Sequence, residues 1–233
     1  MPEPSNLRIS PRYTADKVAS GAIEDLIDVH EDRVNGFLLL PAQKLLEMPN
    51  TGFAVLHLSL SYFEGWEQWA SGEDSHNRSK EFFARGFWSV FPSVNWAYRR
   101  AGDEKIITDT LYDQLRCGLF HDAMSRRQVV IRPSRSPLAI ACDQPGVIAS
   151  IIVNPELFFR QIAYHFHLYV TELRNPANAV LRANFTRTWE RIYSGPPVNV
   201  PIEDCSPAPD AQTLSSGDLA AAIRAREKST GTR

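Results

Sequence analysis

At 233 residues, with 43% apolar and 22% charged residues, the chain is sized and composed for one medium globular domain plus tails. Its formal net charge of −2 excludes a globally basic nucleic-acid binder, so any attraction for phosphate must come from local patches. Cys117, Cys142 and Cys205 are odd in number and far apart, which argues against a disulfide framework and against a Cys/His metal site.

The N-terminus has no basic-then-apolar signal pattern, and no apolar run approaches the roughly eighteen residues that a membrane span needs. The expectation is a soluble, cytoplasmic protein with no membrane contact, no metal and no cofactor. Residues 1–12 hold three prolines and little to bury, and read as a loose leader. From Thr14 a helical pattern begins, with Val18, Ala22, Ile23, Leu26, Ile27 and Val29 largely on one side. Glu24, Asp25, Asp28, Glu31 and Asp32 crowd the other side, and such a charged face is expected to be solvated rather than metal-binding. The helix is expected to reach Leu40, where Pro41 interrupts it and starts a further turn or two.

After the MPNTG break, residues 53–70 predict a helix that is apolar on more than one face, hence central to a bundle or an interface. His57, Ser61, Glu64 and Gln68 nevertheless fall in one narrow polar stripe. That stripe either faces solvent or aims Glu64 at a functional site, because polar groups buried without partners are costly. Residues 80–90 predict a third helix whose aromatics belong to the core, and Trp96 and Tyr98 are expected to pack down the connection after it.

Residues 104–127, EKIITDTLYDQLRCGLFHDAMSRR, carry the strongest pattern in the chain. Ile107, Leu111, Leu115 and Leu119 recur every four residues, one buried stripe on a helix of about four turns. Arg116 and His121 sit toward its end, five residues apart, which on an ideal helix is about 140° of rotation. The two side chains therefore do not share a face unless the helix ends or Arg116 reaches around. Gly118 between them is costly in a helix, and close approach of another backbone is one reason to accept it. Beyond lie two or three short strands over residues 128–153, read as antiparallel. Asn154 and Pro155 then form a helix start, and helices run to about Arg174 and Tyr193. His165 and His167 read as packing or surface residues. Residues 195–233 are a Pro/Ser-rich tail in which 218–228 has the pattern of a short helix.

The Arg-x4-His spacing of Arg116 and His121, closing an apolar helix in LYDQLRCGLFH, resembles the motif of the HEPN superfamily, whose catalytic members cut RNA without metal. The resemblance covers residues 13–194 as architecture and only Arg116 and His121 as motif. It implies a mainly α fold, a HEPN-like bundle of five or six helices, with the small antiparallel β-insertion after the motif helix. It further implies a homodimer whose two motifs meet across a shared cleft, RNA as substrate, and a role in defence or as a toxin under an antitoxin or other regulatory partner. Cys117 stands where many active members carry a polar residue, often asparagine.

The chemistry fits these residue types. Attack of a ribose 2′-hydroxyl on the adjacent phosphate needs a group that exchanges protons near neutrality, as histidine does. It also needs fixed positive charge beside the phosphorus, as the planar arginine fork supplies. His121 is the expected acid/base and Arg116 the phosphate clamp. Glu64, Tyr112, Asp113 and Asp122 could each orient the pair or stand at the surface. Arg126 and Arg127, with Arg132 and Arg135 beyond, are candidates to track an RNA backbone, or an ordinary charged edge. The alternatives are a non-catalytic HEPN-like module that binds RNA, a nucleotide or a protein partner, and a helical dimer with no ligand. Convergence of Arg116 and His121 in one exposed cleft marks the first reading; Arg116 salt-bridged inside its bundle, away from His121, marks the last. No GxGxxG, P-loop, HExxH or GxSxG sequence occurs.

Overall fold

The computed structural model describes residues 8–94, 100–144 and 147–193. The expectations for the chain before Arg8, for Trp96 and Tyr98, and for the tail from residue 194 lie outside these residues. The chain divides into two units, Met1–Ser194 and Gly195–Arg233, and the description concerns the first.

A short 3-10 turn, Ala15–Val18, precedes helix α1 (Ile23–Val34). Pro41 does not interrupt the helical path. A wide turn of π geometry, Asn35–Leu39, joins α1 to α2 (Leu40–Leu46) without a break, and the Leu40 N–H donates to the carbonyl of Asn35, five residues back. Proline lacks an N–H and its ring would strike a carbonyl of a regular turn, so widening the turn just before it removes both problems.

The acidic face of α1 is also not simply solvated. Asp32 is buried and accepts from Ser10 Oγ and Arg12 Nε, each at 2.6 Å, which ties residues 8–12 to the domain. Burial alone would push the Asp32 carboxyl up; these hydrogen bonds outweigh it and hold the group below the ordinary carboxylate range. Asp28 and Glu31 receive Arg174 at 2.8 and 2.6 Å, and Glu24 receives Arg182 at 2.7 Å. The face is a docking strip for the C-terminal helices.

Helix α3 (Gly52–Ser71) is the central element, as its two apolar rows predict. The Phe63 ring is fully buried and meets Phe83, Phe87, Phe91 and Phe158 edge-on at 5.2–6.2 Å. Each such ring contributes about 1.5–3 kcal/mol by burial. Helix α4 (Ser79–Val90) lies close enough that a Cβ at Gly86 would stand 2.2 Å from the Phe63 carbonyl oxygen. Only glycine fits there. Helices α6 (Pro155–Arg174) and α7 (Ala179–Tyr193) close the bundle around the other flank of α3.

The stretch that carries the motif begins as α5 (Asp103–Thr110) and then widens into π turns over Leu111–Arg116 and Gly118–Asp122. Ile107, Leu111, Leu115 and Leu119 are all buried. The sheet after it has the order β1-β3-β2, with β1 (Val129–Ile131), β2 (Leu138–Gln144) and β3 (Val147–Val153). It is mixed rather than wholly antiparallel. β2 and β3 form an antiparallel pair, but β1 runs parallel to β3, with Val130 opposite Ile152. β3 inserts between the two earlier strands, so the turn from β1 to β2 reverses the chain without pairing them. Asn154 locks this arrangement: its amide donates to the Ser134 carbonyl while its Oδ1 accepts from the N–H groups of Glu156 and Leu157 to cap α6. The fold is mainly helical with a small three-stranded sheet.

Candidate functional site

Two sequence features meet at one place. The polar stripe of α3 supplies His57, Ser61, Glu64 and Gln68, and the widened stretch supplies Arg116 and Phe120, to a cleft of about 450 Å³. The stripe is therefore neither buried nor merely solvated; it is one wall of this cleft.

The helix widens around Arg116 and His121. In the π turns the Cys117 N–H bonds the Tyr112 carbonyl and the Ala123 N–H bonds the Gly118 carbonyl, both spanning five residues. Closure over five residues brings position n+5 nearer the row of position n than in a regular α-helix, where it stands about 140° away. Wide turns of this kind often sit at functional sites.

Arg116 is half-buried. Its Nη2 lies 3.7 Å from Glu64 Oε2, an ion pair too long to be a hydrogen bond, so it consumes none of the five guanidinium donors. Glu64 is steadied from its other oxygen, which accepts from Ser75 Oγ at 2.9 Å. The Arg116 guanidinium carbon also stands 5.2 Å from the Tyr112 ring and 5.5 Å from the Phe120 ring, within cation–π reach of both. Burial pushes the Tyr112 hydroxyl up, so Tyr112 serves as a neutral ring, itself packed edge-on against Phe83 at 5.3 Å.

Phe120 is 63% exposed. His57 stacks on it with centroids 5.7 Å apart and planes within 7° of parallel, and His121 meets it edge-on at 5.2 Å. His121 is exposed and stands outside the lining of the cleft, reaching the site through Phe120. One guanidinium and two imidazoles thus surround one exposed ring.

The remaining candidates are placed elsewhere. Asp113 is paired with Lys80 at 2.8 Å, toward α4. Asp122 is paired with Arg126 at 2.7 Å, and Arg126 also donates to the Asp113 carbonyl at 3.2 Å. Arg126 is therefore a clamp on the widened stretch, and its backbone N–H adds a bond to the Gln114 carbonyl at 2.8 Å. Arg127, Arg132 and Arg135 are exposed. Gly118 faces the chain's own returning loop: a Cβ there would lie 2.6 Å from the Met124 carbonyl oxygen, so no second backbone is needed to explain it. His165 is a packing residue, held between Tyr62 Oη at 2.9 Å and Ser89 Oγ at 3.1 Å, and burial depresses it to about 4. Among the described residues no cluster of His, Cys, Asp and Glu has the makings of a metal site, and no helix is long and apolar enough to cross a membrane.

Sequence reasoning missed His57 and Phe120. The signal was available for His57, which opens the polar stripe on an otherwise apolar helix. Phe120 carried no such signal, since a phenylalanine beside Leu119 reads as core. No family model, curated protein or solved structure matches the chain.

Proposed function

We propose that this protein is a metal-independent endoribonuclease of HEPN type, with the Arg116–Phe120 cleft as its site. The observation that carries the reading is the convergence of a guanidinium and two imidazoles on the exposed Phe120 ring. An exposed aromatic ring is a stacking surface for an unpaired base. An arginine beside it, with donors to spare, suits the phosphate attached to that base. In this reading Arg116 neutralises charge that builds on the non-bridging oxygens, and His121 exchanges protons with the reacting ribose and phosphate. Glu64 holds Arg116 across the cleft until a phosphate replaces it as partner. Arg127, with Arg132 and Arg135, would attract the backbone on either side, while Arg126 keeps the site in shape. In line with the resemblance, the active form is a homodimer, restrained by an antitoxin or other regulatory partner, in a defence or toxin role.

A non-catalytic module that binds RNA or a nucleotide is the second reading, and one observation favours it: His121 stands outside the cleft that Arg116 lines. The two part on a single assay. A mixed RNA pool is incubated in EDTA with wild type, Arg116→Ala and His121→Ala, each checked for an intact fold by circular dichroism. The nuclease reading predicts cyclic phosphate ends from wild type and a loss of about a hundredfold or more in either variant. Equal cutting by all three would remove the site from the reaction. Binding of RNA by wild type without cutting, lost in Arg116→Ala, would favour the module.

A further inference from the structure

Cleavage by a 2′-hydroxyl moves two protons. One leaves the 2′-hydroxyl as its oxygen bonds to phosphorus; the other must reach the departing 5′-oxygen as its bond to phosphorus breaks. These oxygens lie on opposite sides of an in-line phosphorus, so one imidazole cannot serve both ideally within a single step. The motif names one histidine in each chain. The cleft of this chain holds another.

His57 lines the same cavity as Arg116, which His121 does not. It projects from α3, a twenty-residue helix in the centre of the bundle and therefore a rigid mount. Its ring is oriented by stacking on Phe120, near parallel at 7°, while His121 meets that ring edge-on at 80°. The charged groups that share its cleft are Glu64, on its own helix, and Arg116, from the widened stretch.

We infer that His57 is a catalytic residue of this site, the second proton-transfer group beside His121, an inference that rests on the endoribonuclease reading. One of the two imidazoles, neutral, takes the 2′-hydroxyl proton. The other, as imidazolium, gives its proton to the 5′-oxygen. The P–O5′ bond breaks as the O2′–P bond forms, leaving a 2′,3′-cyclic phosphate and a free 5′-hydroxyl. The two histidines end with their protonation states exchanged, and the charge on the protein is unchanged.

The test uses the full-length protein in EDTA and two RNA oligonucleotides, one ordinary and one with sulfur in place of the 5′-oxygen at a mapped cut. Sulfur leaves without needing a proton. His57→Ala and the shape-preserving His57→Asn should each cut ordinary RNA about a hundredfold or more slowly. Of His57→Ala and His121→Ala, one alone should recover most of the wild-type rate on the sulfur substrate, identifying the proton donor. Wild-type cutting of ordinary RNA by His57→Ala would overturn the inference and leave the endoribonuclease reading standing. Rescue of both variants, or of neither, would also overturn it. A wild-type protein that cuts no RNA would overturn the reading itself and this inference with it.

Discussion

Ala123 holds φ +55°, the left-handed conformation in which a side chain is strained, and it ends the widened stretch by turning the chain back over Gly118. The position suits glycine, the usual residue just beyond a helix end. Relief of the strain, less the extra freedom that glycine gives the unfolded chain, should make Ala123→Gly more stable by about 0.5–1 kcal/mol. Thermal unfolding should shift upward by about 1–4 °C. A fall in melting temperature would mean that the loop owes its shape to something other than this residue. Gly118 opposite is the complement: the Met124 carbonyl sits where its side chain would be. The two residues together hold Arg126 against the carbonyls of Asp113 and Gln114, and so fix where the motif ends.

The widened stretch also shows what was legible in the sequence and what was not. A four-residue repeat drifts about 40° around a regular helix at each step, so Ile107, Leu111, Leu115 and Leu119 mark a broad buried stripe without distinguishing a regular helix from a widened one. All four are buried, Ile107 from the regular α5 and the other three from the π turns. The spacing marked the helix, and the π turns within it were not legible. Local signals were reliable elsewhere: the α3 and α4 spans, the Asn154–Pro155 start of α6 and the sheet at 128–153 all come from turn residues and periodicity. Interactions distant in sequence were not legible. Arg182 reaches Glu24 and Arg174 reaches Glu31, and nothing local to α1 announces either partner. The parallel β1 likewise depends on β3 arriving sixteen residues after β1 ends. Of the site, the polar stripe left open whether Glu64 faces solvent or a functional site, and nothing in the sequence near Phe120 marked that ring as exposed.

Across the bundle, one buried and one half-buried histidine make stability depend on pH. His30 is enclosed by Trp69, Phe166, Tyr169 and Phe185, and burial depresses it to about 3; His165 is depressed to about 4 by the same cause. A histidine depressed on folding binds a proton more readily when unfolded. Its contribution is therefore intact above the ordinary histidine value of about 6.5 and is lost as pH falls from there toward the folded value. Denaturant titrations should accordingly show stability falling between pH 6.5 and 4, before most carboxylates protonate. His30→Leu should flatten that slope, whatever it does to stability at neutral pH. An unchanged slope in His30→Leu would mean that His30 is not held neutral by its aromatic cage.

All of these features bear on the site, because the bundle is what presents α3 to the widened stretch. The most direct measurement is a nuclear magnetic resonance titration of the protein with a nucleoside 3′-monophosphate, tracking the imidazole signals of His57 and His121 and the guanidinium signal of Arg116. A phosphate held by Arg116, with its base on Phe120, should shift all three along one saturation curve, and Arg116→Ala should abolish the shifts of both histidines. Histidine signals that move without Arg116, or three signals that stay still at saturating ligand, would contradict the claim that these residues form one phosphate-binding site.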